Sequence, residues 1–176
     1  TLTVTEKAYL RDANGDLDIN HPDIIWDSRN PNNPKTLYGF LAQSIARRAA
    51  GGTAPFTVLS CDNLPANGAT LRRLLITFAS LCDSSLKHFI EHEISCPSSM
   101  VDRIVPATTD HDRARISAAL GVTDAWPVAT EPFLQWVIED DFPSGRPRWE
   151  PFGVEMVANV APFEDMKLRL LNGSHS

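Results

Sequence analysis

Three polar side chains crowd the segment at 166–176, MKLRLLNGSHS: Lys167, Asn172 and His175. On a helix turning about 100° per residue they stand near roughly 0°, 140° and 80°, so they can share one side. Leu168, Leu170 and Leu171 help to pack other sides. An amine, a carboxamide and an imidazole facing one spot can move a proton at a hydroxyl and hold a developing oxyanion. A lysine serves as the base only where its surroundings disfavour the ammonium form. Gly173 within the motif would let a ligand or another backbone approach closely. The plainer alternative is a solvated last turn whose positive charge complements a helix C-terminus.

Other polar groupings carry weaker signals. In SCDNLPANG, Asp62 and Asn63 follow a short apolar run, and Asn67-Gly68 leads into an amphipathic stretch. An amide over a ligand at a strand end is one reading; turn chemistry plus a helix N-cap is the one the residues alone favour. In HFIEHEISC, the i, i+4, i+8 spacing of His88, His92 and Cys96 could form a metal stripe. No fourth ligand is evident, and Cys96 adjoins Pro97, where a helix should already have stopped. An exposed helix face is the favoured reading and no metal is assigned. Asp102, followed by Arg103, reads first as a salt bridge and second as a site residue. The acidic run at 139–141 reads as a solvated loop edge. The sequence contains no Gly-x-Gly-x-x-Gly turn, phosphate loop, nucleophile elbow or Cys-x-x-Cys pair. Neither Tyr9 nor Tyr38 has a lysine four residues on, which removes the short-chain dehydrogenase pattern.

The elements that must position these groups follow from periodicity. Alternation predicts a strand over about residues 2–9, and Asn14-Gly15 a turn with positive φ angles. Leu37, Phe40, Leu41 and Ile45 predict a helix stopped by Gly51-Gly52. PFTVLSC is expected to be a short buried strand. Leu71, Leu74, Leu75, Phe78 and Leu81 mark a strong amphipathic helix that runs or restarts into SSLKHFIEHEI. MVDRIVPAT is a strand candidate. Thr109 or Asp110 caps a helix ending at Gly121. FLQWVIEDDF is expected to be extended, FGVEMVANVA a strand, and Pro162 the start of a closing helix. Strands alternating with helices give an α/β class with a largely parallel sheet, in which chemistry gathers at the carboxyl ends of strands. Both SCDNLPANG and Val101–Arg103 fall at such ends.

Bulk properties narrow the partners. The chain has 176 residues, 43% of them hydrophobic and 22% charged, which is globular. A net charge of −6 offers no basic face to nucleic acid or to an anionic membrane. Apolar runs are too short to span a bilayer. Three cysteines without tight spacing read as reduced thiols in a cytoplasmic protein.

The segments TVTEKAY, FTVLSCDNLPANG, SMVDRIVPATT, EPFLQWVIEDDF, GRPRWE and MKLRLLNGSHS together resemble the mannitol dehydrogenase family, the polyol-specific long-chain dehydrogenases and reductases. They stand in the family's order and span nearly the whole chain. The closing Lys-x4-Asn-x2-His is similar to the family's diagnostic motif. The resemblance implies the later part of a Rossmann-like NAD-binding domain over residues 1–155 and the first helix of an all-α substrate domain over residues 156–176. It implies metal-independent, NAD-linked oxidation of a secondary alcohol in an open-chain polyol or sugar acid, a small-molecule partner. Lys167 would be the general base. Asn63 and Asn172 would be amides on the reacting oxygen, and His175 a hydrogen-bond partner to that oxygen and to Lys167. Asp102 would line the cofactor–substrate cleft, with Asn63 also on the cofactor side, and Glu164 would stand on the proton's exit route. The family chain is longer, with its glycine-rich turn expected before Thr1 and more helical domain after Ser176, so the isolated chain is expected to be inactive. The mannonate and fructuronate enzymes fit as well as the mannitol 2-dehydrogenases. A module that keeps the fold without catalysis is the alternative.

Overall fold

The computed structural model describes residues 1–167 and 169. Its first half is helical: α1 (Pro22–Arg29), α2 (Leu37–Ala50), α3 (Asn67–Cys82) and α4 (Ser84–Glu93). The i, i+3, i+4, i+7 apolar stripe of α3, Leu71, Leu74, Leu75 and Phe78, is fully buried. It meets Tyr38 and Ile45 of α2 and Ile90 of α4 in one core. The stripe ends a turn early, because Leu81 is exposed. Side-chain caps start α2 and α4. The Thr36 hydroxyl accepts from the Gly39 N–H, and the Asp83 carboxylate from the Ser85 and Leu86 N–H groups.

The second half builds the sheet from β1 (Ser99–Asp102), β2 (Gln135–Glu139) and β3 (Val154–Val157), in that order. β1 and β2 pair antiparallel with Ser99 opposite Ile138; β2 and β3 pair parallel with Ile138 opposite Met156. Among the described residues the sheet is therefore mixed, within the α/β class expected. Between β1 and β2 lies α5 (Asp110–Leu120). Thr109 and Asp112 close a reciprocal capping box at its start, and Gly121 at φ 72° ends it. After β3, α6 (Ala161–Met166) begins with Pro162 in its first turn. A second small core joins Met100, Val137 and Val160 beneath this sheet.

Three expectations need correction. Residues 2–9 are not one strand: Leu2 alone bridges Ser60 in parallel, and Glu6–Tyr9 form a 3-10 turn. The turn carries Tyr9 into the core, where its hydroxyl finds partners that a flat strand would not reach. PFTVLSC is extended and its Val58 and Leu59 are buried, but it forms single rungs rather than a ladder. The Leu2 N–H donates to Leu59 O at 2.7 Å and the Val58 N–H to Ser95 O at 2.9 Å. At the Asn14-Gly15 turn only Gly15 takes a positive φ, 83°.

No helix among the described residues is long and apolar enough to cross a membrane.

Candidate active site

The site is built on the loop between Ser60 and α3. In this loop Asp62 and Leu64 point inward while Asn63 between them is exposed. The inward pair is fixed by a buried polar network. Asp62 Oδ2 accepts from the Tyr9 hydroxyl and from Ser60 Oγ, and Oδ1 accepts from the Leu64 N–H at 2.8 Å. Desolvation, then the hydrogen bond to Asp62, pushes the Tyr9 phenol well above its ordinary range, so it stays a donor.

A second clamp holds this loop against β1. Asn67, fully buried in the first turn of α3, donates to Ser99 O at 3.0 Å and to Asp62 O at 3.3 Å; its Oδ1 accepts from the Ser99 N–H at 2.9 Å. Gly68 lets α3 sit against residues 96–97: a Cβ there would lie 2.3 Å from Cys96 O and 2.4 Å from Pro97 C. The residue reading of Asn67-Gly68 as turn and cap chemistry is thus corrected. Ala66 occupies the cap position, at φ 47°, ψ 46°, and caps nothing with its side chain. Its N–H instead donates to Glu164 Oε1 at 2.9 Å.

Lys167 reaches into the junction from the end of α6. Its Nζ donates to Asn63 Oδ1 at 2.9 Å and to Val101 O at 2.7 Å, and stands 3.9 Å from Asp102 Oδ1. Both charged side chains are largely shielded, 16% and 15% exposed. A cleft of ≈ 40 Å³ opens here, walled by Asn63, Pro65, Met100, Val101, Glu164 and Lys167. The structure therefore brings together four of the candidate residues: Lys167, Asn63, Asp102 and Glu164. Asn172, Gly173 and His175 lie outside the described residues.

Other readings change. Asp102 turns to Lys167, while Arg103 Nε donates to Glu131 O at 3.1 Å, so the neighbouring salt bridge is replaced. Glu139 is no loop edge: it ends β2 and accepts from the Ser98 N–H at 2.8 Å. The three-residue metal stripe is broken, because α4 ends at Glu93 and Cys96 is buried beyond it. Tyr9 and Asn67, which set the loop, were missed as site-builders. For Asn67 the signal was faint, a polar side chain before a glycine at a helix start, where the glycine marks close backbone packing; for Tyr9 no local pattern gave one.

Chemically, the arrangement offers a cationic or basic nitrogen, an exposed carboxamide and two carboxylates beside an apolar wall. With two Nζ hydrogens committed to Asn63 and Val101, an unprotonated amine would keep its lone pair for one incoming proton.

Residues 2–151 match the family described as the mannitol dehydrogenase Rossmann domain. Along its whole length the chain is 50% identical to the oxidoreductase YdfI and 48% identical to D-mannonate oxidoreductase, both of Escherichia coli K12. The structure superposes with a TM-score of 0.90 on the Pseudomonas fluorescens mannitol 2-dehydrogenase ternary complex with NAD and D-mannitol. That match has 47% identity and covers 99% of this chain and 36% of that one. The chain likewise spans 36% of each of the two curated relatives. With this match running through the loop that bears Asn63 and the strand that bears Asp102, the chain belongs to the mannitol dehydrogenase family and carries its Rossmann-like α/β domain.

Proposed function

We propose that the full-length protein is an NAD-dependent oxidoreductase that interconverts a secondary alcohol of an open-chain polyol or aldonate with the corresponding ketose or keto-acid. One observation carries this reading: Lys167 Nζ is held 2.9 Å from Asn63 Oδ1 and 2.7 Å from Val101 O at the mouth of a cleft beside an apolar wall. The named relatives supply the substrate class, mannitol in one and mannonate in another.

In this scheme Lys167 takes the proton of the substrate hydroxyl during oxidation and returns it during reduction. Asn63 orients the Lys167 nitrogen through Oδ1, which leaves its Nδ2 free to donate to the reacting oxygen. Asp102 is the counter-charge at 3.9 Å when Lys167 carries the proton. Glu164 steadies the loop through Ala66 and offers the proton a way out. Asn172 and His175 complete the donors around the oxygen. Lysine chemistry makes the step metal-independent.

The residues present suit a nicotinamide as neighbour: Leu64, Pro65 and Met100 give an apolar wall, with the Asn63 amide at its edge. NAD, when bound, accepts or supplies the hydride. Residues 1–155 belong to the cofactor domain and 156–176 begin the helical substrate domain. The three free cysteines suit a cytoplasmic setting. Because the chain spans 36% of its relatives, the 176 residues alone are expected not to turn over.

The test is steady-state turnover of the full-length protein with NADH and, side by side, fructose and fructuronate. Lys167→Ala should lower turnover by at least ~10²–10⁴-fold, the usual worth of a general base, with NADH affinity kept. Near-normal turnover would remove Lys167 from the chemistry.

A further inference from the structure

We infer that α4 carries a surface site for a divalent transition metal, formed by His88, Glu91 and His92. The inference is independent of the proposed reaction. One ligand atom from each of these residues lies within 4.8 Å of the other two. The two imidazole rings lie 4.1 Å apart between centroids, tilted by 38°.

The helix sets this geometry. At about 100° per residue, His88, Glu91 and His92 fall within one arc of roughly 100°. Ile90, fully buried, and the partly buried Leu86 and Phe89 anchor other faces of α4 to the core. The Asp83 carboxylate fixes the helix start. The three groups therefore project from a braced scaffold rather than a loop.

The tautomer is set as well. His92 Nδ1 lies 2.8 Å from His88 O, a carbonyl that can only accept, so Nδ1 carries the hydrogen. That leaves the Nε2 lone pair of His92 available for a metal, the arrangement that ligating histidines commonly show. Lys87 Nζ, 3.7 Å from Glu91 Oε1, is a competing cation on an exposed, flexible stem that a divalent ion would displace. Two imidazoles with one carboxylate suit Zn²⁺, Cu²⁺ or Ni²⁺ rather than Ca²⁺ or Mg²⁺, which take oxygen ligands. Metal–nitrogen bonds of about 2.0–2.1 Å would turn the two tilted rings so that their lone pairs meet at one point. His88, Glu91 and His92 do not line the cleft at Lys167, so the ion has no part in the proposed proton transfer.

The experiment is calorimetric titration of the full-length protein with ZnCl₂ alone, beside His88→Ala/His92→Ala and Glu91→Gln. Circular dichroism checks that each variant is folded. The parent should bind one more equivalent of Zn²⁺ than the double variant, and Glu91→Gln should weaken that equivalent about tenfold. Cu²⁺ electron paramagnetic resonance should show nitrogen coupling in the parent that the double variant loses. Equal stoichiometry and affinity in parent and double variant would overturn the site. Unchanged affinity in Glu91→Gln would overturn the three-ligand set.

Discussion

The carboxylate of Glu164 accepts the backbone N–H of Ala66 at 2.9 Å, tying the first turn of α6 to a residue held at φ 47° beside the Asn63 loop. A non-glycine residue in this region stores strain, and its neighbours must hold it there. Glu164→Ala should release the loop, lowering both the thermal midpoint and turnover of the full-length protein. Glu164→Gln keeps an acceptor oxygen but cannot carry a proton. It should restore the thermal midpoint while turnover stays roughly tenfold down, below the usual worth of an acid–base group. Full recovery of turnover in the glutamine variant would make Glu164 a loop anchor alone.

Residues 66 and 68 make opposite demands. Ala66→Gly removes the left-handed penalty of about 1–2 kcal/mol but adds unfolded-state freedom of roughly 0.5–1 kcal/mol, so it should be neutral to mildly stabilising. Gly68→Ala places a Cβ 2.3 Å from Cys96 O and 2.5 Å from Pro97 O, both backbone atoms that cannot swing away. It should cost about 3 kcal/mol or more, at the upper end of overpacking. Urea unfolding of the two variants beside the parent checks both signs.

Tyr9→Phe deletes one donor to Asp62 and leaves a carboxylate that is 9% exposed short of a partner. The expected loss is about 1–3 kcal/mol of unfolding free energy. Because Asp62 precedes Asn63, the same change should also lower kcat/KM. Tyr38→Phe is the control. The Tyr38 hydroxyl donates to Tyr9 O at 2.8 Å, and its loss should cost about 1 kcal/mol with kcat/KM retained. Equal effects on kcat/KM would show that the Tyr9 hydroxyl has no role specific to the site.

Much of this was legible in the residues because local rules dominate there. The α3 stripe, the Thr109 cap with Gly121, and Pro162 at the start of α6 all follow from short-range sterics and periodicity. The pairing of Lys167 with Asn63 spans 104 positions, and no local pattern fixes such a meeting; the family resemblance supplied it. Residues 2–9 misled because alternation in TLTVTEKAY fits a strand, whereas the buried Asp62–Ser60 pair draws Tyr9 inward. Asn67 misled because its amide serves tertiary clamping at a position where asparagine ordinarily caps. On α4, the spacing of His88, His92 and Cys96 read first as an exposed helix face, and the helix indeed stops at Glu93, short of Cys96.

The buried thiol of Cys96 makes the last prediction, in alkaline stability. Desolvation pushes it from 9.0 to about 12, and Cys82 to about 11 by the same cause, with Asp27 and Asp83 adding to the rise at Cys82. In the unfolded chain Cys96 would release its proton near the ordinary value, while the folded protein holds it. Stability from this group is therefore complete below pH ~9 and drains away as pH rises from there towards about 12. At about 1.4 kcal/mol per unit, the upper bound is roughly 4 kcal/mol. Tyr9 and Tyr38, also raised by burial, add their own alkaline slope, so the difference between two proteins is what isolates Cys96. Cys96→Ala should be less stable than the parent at pH 7, through lost packing. The two urea midpoints should then converge between pH 9 and 11, with parallel curves counting against the shift. Alkylation gives a second reading: at pH 8 the buried Cys96 thiol, pushed up to about 12, should label far more slowly than the exposed Cys82 thiol.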